Sequence, residues 1–208
     1  MHHPIVVSLV LCAAVAAHAV AAQSLQPQQD QVQRSNAFVE NLHKLHRQQI
    51  EGKKIRETEA LGGYKDLPDF YREVSYYDTN SGRILSRIQW ERENPTRIHA
   101  IEVFVYDDQG RVARDYQAWF LPRHRNAPRE ANINFYSYND GVRGWRQFDV
   151  HGNRMYEKCN AGERVLVELW GDDISRAQDD PKSVMHGAEY RRCFATLATT
   201  PGKYVVPQ

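Results

Sequence analysis

Residues Arg97 to Leu121 read RIHAIEVFVYDDQGRVARDYQAWFL, and this stretch decides the fold class. On either side of Asp107-Asp-Gln-Gly110 stands a run of roughly ten residues rich in Ile, Val, Phe, Tyr and Trp, with no proline inside it. Asp and Gly are the residues that a tight hairpin turn requires. The pattern repeats outward in both directions. Phe70 to Tyr77 precedes Asp78-Thr-Asn-Ser-Gly82, and Arg83 to Arg92 precedes Glu93-Asn94-Pro95. Downstream, Asn132 to Tyr138, Arg143 to Val150 and Arg154 to Cys159 are each followed by a short segment of Asn, Asp or Gly. The sequence predicts a mainly β protein: an antiparallel up-and-down meander of seven or eight strands from Asp69 to about Trp170, as a curled sheet or an open barrel.

Alternation says which faces are wet. In Arg83 to Arg92, Ile84, Ile88 and Trp90 point one way while Arg83, Arg87, Gln89 and Glu91 point the other, so this strand has one solvated face. The next two strands are apolar on both sides. Ile98, Phe104 and Tyr106 oppose Ile101, Val103 and Val105, and Tyr116 and Phe120 oppose Trp119 and Leu121. A central position covered twice is expected, the cover coming from a helix, from the C-terminal segment or from the sheet curling on itself.

Upstream of the meander, Phe38, Leu42 and Leu45 recur at helical spacing, with Val39 and Ile50 widening the stripe and Ser35 or Asn36 able to cap. This predicts one amphipathic helix over about 35–50. Lys53 to Ala60 has helical propensity without an apolar face and is left open. Gln23 to Arg34 is Gln-rich and is expected to be a flexible lead-in. Pro4 to Ala22 is an apolar run ending in small residues, the pattern of a cleaved secretory signal peptide over 1–22, although no Lys or Arg precedes it. The domain plan is therefore signal, lead-in, and a single β-rich domain over 35–208, placed in the periplasm or outside the cell.

Removing the leader leaves Cys159 and Cys193 as the only cysteines. Two thiols in an oxidising compartment predict one disulfide, closing a loop of about 35 residues. Neither belongs to a CxxC or CxxCH motif. C-terminal to the meander, Asp172 to Pro181 offers a capped helical turn, and His186 to Thr196 a final strand or helix bearing Cys193.

The chain has 208 residues and balances 27 Lys and Arg against 26 Asp and Glu. That balance excludes the broad basic footprint needed for nucleic acid or an anionic membrane surface, and no stable membrane insertion is expected once the leader is gone. Motifs with chemistry are few. His43 and His46 share a helix face without a third ligand at a diagnostic spacing, and the acidic pairs Asp172-Asp173 and Asp179-Asp180 lack the order of a calcium loop. There is no GxSxG elbow and no SxxK. No cofactor, metal site or catalytic residue is assigned. A site assembled in three dimensions from His99, His124, His151 or His186 and carboxylates stays open.

Three segments share a local look: Tyr77-Asp78 with Gly82-Arg83, Tyr106-Asp107 with Gly110-Arg111, and Phe148-Asp149 with Gly152-Asn153-Arg154. They resemble the Tyr-Asp-x-x-Gly-Arg hairpins of YD or RHS repeat proteins. The resemblance implies an extracytoplasmic β-structure and carries no catalytic residue across.

Of the 22 aromatic residues, 16 lie between Phe70 and Tyr156, and a basic loop, Pro122 to Arg129, directly follows Trp119-Phe120-Leu121. Arg beside an aromatic side chain is the composition of interface hot spots. The functional expectation is an exported, non-catalytic binding or accessory protein acting through its sheet surface. Trp119, Arg123 and Arg125 are its candidate partner-binding residues, and the partner is a protein or a cell-envelope component. The alternatives are a small hydrolase with a His and carboxylate site, and a carrier holding its ligand in the apolar cavity of a closed barrel.

Overall fold

The computed structural model describes the backbone of residues 13–202 and, within the first helix, side chains from Gln28 onward. The first twelve residues, and with them nearly half of the apolar run Pro4 to Ala22 read as a leader, lie outside the described residues. The helix α1 spans Ala13–Ile50 and is followed by nine strands. These are β1 (Ile55–Tyr64), β2 (Leu67–Asp78), β3 (Ile84–Glu91), β4 (Ile98–Tyr106), β5 (Val112–Trp119), β6 (Glu130–Asn139), β7 (Val142–Asp149), β8 (Arg154–Ala161) and β9 (Arg164–Trp170). Two short helices, α2 (Gly171–Asp179) and α3 (Ala188–Phe194), end the described chain.

All nine strands pair in sequence order, each antiparallel to the next, so the meander read from the turns is the observed topology. β1 and β9 are free edges. The sheet is therefore open, which removes the closed barrel of the carrier reading. The count exceeds the expected seven or eight because Ile55–Tyr64, left open between helix and loop, is a strand. Its side chains are nearly all exposed, so it has no apolar alternation to read; pairing with β2 makes it a strand.

Alternation sorts the sheet into two different faces. On one, Val74, Ile88, Ile101, Ala118 and Ala131 stand opposite one another in an unbroken apolar row across five strands. A second row runs Val103, Tyr116, Ile133, Phe148. Phe38, Val39 and Leu42 of α1 join these rows in the core, and α1 crosses β3 to β6. Tyr190 and Phe194 of α3 cover the same face at β6, β7 and β9. Helix and C-terminal segment thus share one face instead of covering both. Among the described residues no helix packs on the other face of β4 and β5, so the double cover expected there is corrected to a single one, while α2 packs at β8 and β9. Phe104 and Trp119, the apolar residues of that second face, remain half-buried.

α1 also begins before Ser35: Gln28 to Arg34, expected as a flexible lead-in, is helical. Gln and Arg are good helix formers, and the half-buried Val32 extends the stripe of Ser35, Phe38, Val39 and Leu42 by one turn. Among the described residues no helix is long and apolar enough to cross a membrane.

The Tyr-Asp…Gly-Arg segments build one turn three times. The Asp78 carboxylate accepts from Asn80 N at 3.0 Å, that of Asp107 from Gln109 N at 3.0 Å, and that of Asp149 from His151 N at 2.9 Å. In two of them the closing Arg then locks to the next hairpin: Arg83 lies 5.3 Å from the Tyr106 ring and Arg111 lies 4.4 Å from the Tyr138 ring. The same phenols donate to Ile84 O (2.6 Å) and Val112 O (2.9 Å). Gly110 is required twice over, since its φ is +80° and a Cβ there would sit 1.9 Å from the Arg83 guanidinium.

Candidate functional site

The uncovered face is built by strand register. Cross-strand partners Ser75, Arg87, Glu102, Gln117 and Asn132 form one polar row over β2 to β6. Beside it run Phe104, Asp115, Asn134, Gln147, Tyr156 and Trp170 over β4 to β9. Near one end of these strands the face deepens into a groove of about 390 Å³ with Glu73, Arg87, Gln89, Glu102, Gln117 and Trp119 among its lining.

The β1–β2 hairpin forms the wall of the groove. Gly63 makes its tight reversal possible, because a Cβ there would lie 2.2 Å from Leu67 O. The reversal brings the Tyr64 hydroxyl to 2.6 Å from His99 Nε2, while Phe70 and Tyr71 pack on the imidazole with ring centroids 5.0 and 5.6 Å away. His99 is 1% exposed, and its Nδ1 has no hydrogen-bond partner. Burial, with Arg125 nearby, lowers its pKa to about 4, so the ring is neutral at pH 7. Burial also raises the Tyr64 phenol above its ordinary value.

On the floor one guanidinium bridges two carboxylates. Arg87 lies 3.3 Å from Glu73 and 3.0 Å from Glu102, and Gln89 Nε2 donates to Glu73 at 2.8 Å. Burial still holds the Glu102 carboxyl above the usual range, against the pull of Arg87. Asp115 is raised for the same reason, although Asn134 Nδ2 (2.6 Å) and the Tyr136 hydroxyl (2.7 Å) donate to it. Trp145 Nε1 and Gln147 Nε2 donate in turn to Asn134 Oδ1, so the polar side chains of β5, β6 and β7 form one connected network. The rings of Tyr136, Trp145, Tyr156 and Trp170 lead from it to the edge strand, with centroids 6.4, 4.8 and 4.4 Å apart. Trp170 is 62% exposed at the end of that line.

Trp119 lies in the groove. The Arg125 guanidinium lies 4.2 Å from the Phe120 ring, donates to Ile98 O at 2.6 Å and sits 2.8 Å from the buried Glu91. Arg123 is exposed on the loop at φ 65°. Arg125 anchors the loop inward, because a buried carboxylate attracts the nearest guanidinium more strongly than solvent does. Of the four histidines considered for a catalytic site, only His99 reaches the groove; His124 and His186 are exposed and His151 lies in the β7–β8 turn. His43 and His46 stack at 5.9 Å, and no cluster of three metal-ligating side chains occurs among the described residues.

Tyr64, Glu73, Glu102 and Gln117 were not singled out from the sequence. Arg87 and Gln89 were read as a wet face, and the same parity argument carried through the pairing register would have found the rest.

The two buried histidines make stability depend on pH. His46, 4% exposed with Nδ1 2.7 Å from Ser86 Oγ, is held down to about 4 by burial and then by His43 and Arg47. A folded-state value below the unfolded 6.5 means that the unfolded chain takes up protons first. The stability these residues hold is full above pH 6.5 and is lost as pH falls towards 4. Each contributes on the order of 1 to 3 kcal/mol. Asp115 and Glu102 oppose the loss, since their raised values let the folded state take up protons first. Thermal unfolding across this window is expected to show a falling midpoint, and the slope should flatten in a His46→Gln variant. A midpoint constant from pH 7 to 4.5 would contradict this account.

Comparison of the chain with protein-family models, with curated proteins and with solved structures finds no match.

Proposed function

We propose that this is an exported, non-catalytic binding protein that holds its partner or ligand on the open face of its sheet. The observation that carries this reading is the asymmetry of the sheet: among the described residues one face is packed by α1 and α3, while the other bears a half-buried Trp, a polar groove and a line of aromatic rings. Monomeric surfaces of this kind mark interaction sites. Export is supported by the leader pattern and by the Cys159–Cys193 disulfide, which suits an oxidising compartment.

The raised Glu102 and Asp115 carboxyls favour a hydrolase as the second reading. Both oxygens of Asp115 are bonded within the network, however, and Glu102 is compensated by Arg87, so neither stands free as a proton donor.

The proposal is tested by purifying the tagged protein from its own host and comparing what it captures with and without Trp119. Trp119→Ala is expected to weaken capture by about 1 to 2 kcal/mol, roughly 5- to 30-fold, at unchanged secretion. Capture unchanged by Trp119→Ala at full expression would overturn the reading. Arg125→Ala is expected to lower stability, since it leaves the buried Glu91 only the longer Arg97 pair at 3.4 Å.

A further inference from the structure

We infer that the groove takes a neutral oligosaccharide, a reading that rests on the binding role proposed above and names its ligand class. Three observations point to it. Arg87 sits between Glu73 and Glu102 at 3.3 and 3.0 Å, which leaves the floor one net negative charge; an anionic ligand is therefore disfavoured, whereas a neutral one leaves both pairs standing. The atoms left over are the Gln117 amide, a planar group with a donor and an acceptor side by side that matches vicinal hydroxyls, and the second side-chain oxygens of Gln89 and Glu102, which accept. His99 adds a second kind of evidence, a buried side chain lining the groove with an unpartnered Nδ1, for which a ligand hydroxyl or a bridging water is a fitting partner.

The apolar component of the groove has the matching form. Tyr64 and Trp119 place aromatic rings among polar side chains, a mixed lining that suits a pyranose better than a lipid tail, for which a continuous apolar lining would be needed. Register carries the same face on through the buried Asn134 and Tyr156 to Trp170, which is exposed at the edge strand.

The test is calorimetric titration of the purified exported chain with hexamers of β-1,4-glucose, β-1,4-N-acetylglucosamine and α-1,4-glucose, with a hexamer of galacturonic acid as the anionic comparison. At least one neutral hexamer is expected to bind more tightly than ~1 mM and to change tryptophan fluorescence. Gln117→Ala and Trp119→Ala are each expected to weaken that binding ~5-fold or more. Val184→Ser, on an exposed side chain away from the groove, is expected to leave it unchanged. If Trp119→Ala fails to fold, Gln117→Ala and Glu102→Gln decide. The inference is overturned if no neutral hexamer binds, if the anionic hexamer binds more tightly than the neutral ones, or if Gln117→Ala has no effect. Should a captured protein depend on Trp119 while every hexamer is inert, the binding role stands and the saccharide assignment falls.

Discussion

Glu157→Ala is expected to lower stability by about 3 to 5 kcal/mol, the largest effect of any single substitution considered for this protein. Glu157 is 0% exposed and its partner Arg146 2%. Arg146 Nε donates to Glu157 Oε1 at 2.5 Å, and Tyr190 of α3 donates to Oε2 at 2.7 Å. Arg146 Nη1 also donates to Leu197 O and Ala198 O, so this one cluster ties β7, β8 and the C-terminal segment together. Removing the carboxylate strands a guanidinium in the core, which costs far more than the net worth of the pair. For a domain of this size the thermal midpoint should fall by roughly 6 to 20 °C. The double change Arg146→Met with Glu157→Leu is expected to recover most of the loss, because a well-packed apolar pair removes the stranded charge. A Glu157→Ala protein within about 1 kcal/mol of the parent would show that water reaches Arg146.

This pair also shows what the sequence held unread. In β7, Val142, Gly144, Arg146 and Phe148 share the parity that faces the core, and in β8 Glu157 and Cys159 share it too. Opposite charges at inward positions of neighbouring strands are a legible ion pair once the strands are placed. The meander itself was legible because Asp, Asn and Gly stood at hairpin spacing. β1 was not, since an exposed edge strand needs no alternation. For the candidate site, Arg87 and Gln89 were visible as a wet face, whereas the assembly of Glu73, Arg87 and Glu102 depends on registers shifted by bulges at Tyr76/Tyr77 and Gln89/Trp90. The approach of Tyr64 to His99 depends on a hairpin curling back over the sheet. Arg125 teaches the converse. It stands close to Trp119 in sequence, yet the chain turns at Arg123 and the buried Glu91 draws its guanidinium inward.

The Cys159–Cys193 disulfide is the second large term. Both cysteines are fully buried, their Cα atoms are 5.9 Å apart, and the sequence separation is 34. Loop-closure entropy for that separation gives an expected loss of about 3 to 4 kcal/mol on replacing both by Ala. The bond joins α3 to β8 beside the Arg146–Glu157 cluster, and Ser137 Oγ donating to Cys193 O at 2.5 Å fixes the same helix to β6. The disulfide and the Glu157 cluster therefore restrain one seven-residue helix, and their effects should not add. Without the disulfide α3 detaches more readily, so Glu157 has already lost Tyr190 in part of the population. Glu157→Ala then has less left to remove, and its cost should be smaller in the double-Ala background. Denaturant unfolding of the four proteins measures the coupling. Strict additivity would mean that Tyr190 and Phe194 hold α3 unaided, and free thiols in the purified protein would remove the oxidising compartment from the proposed function.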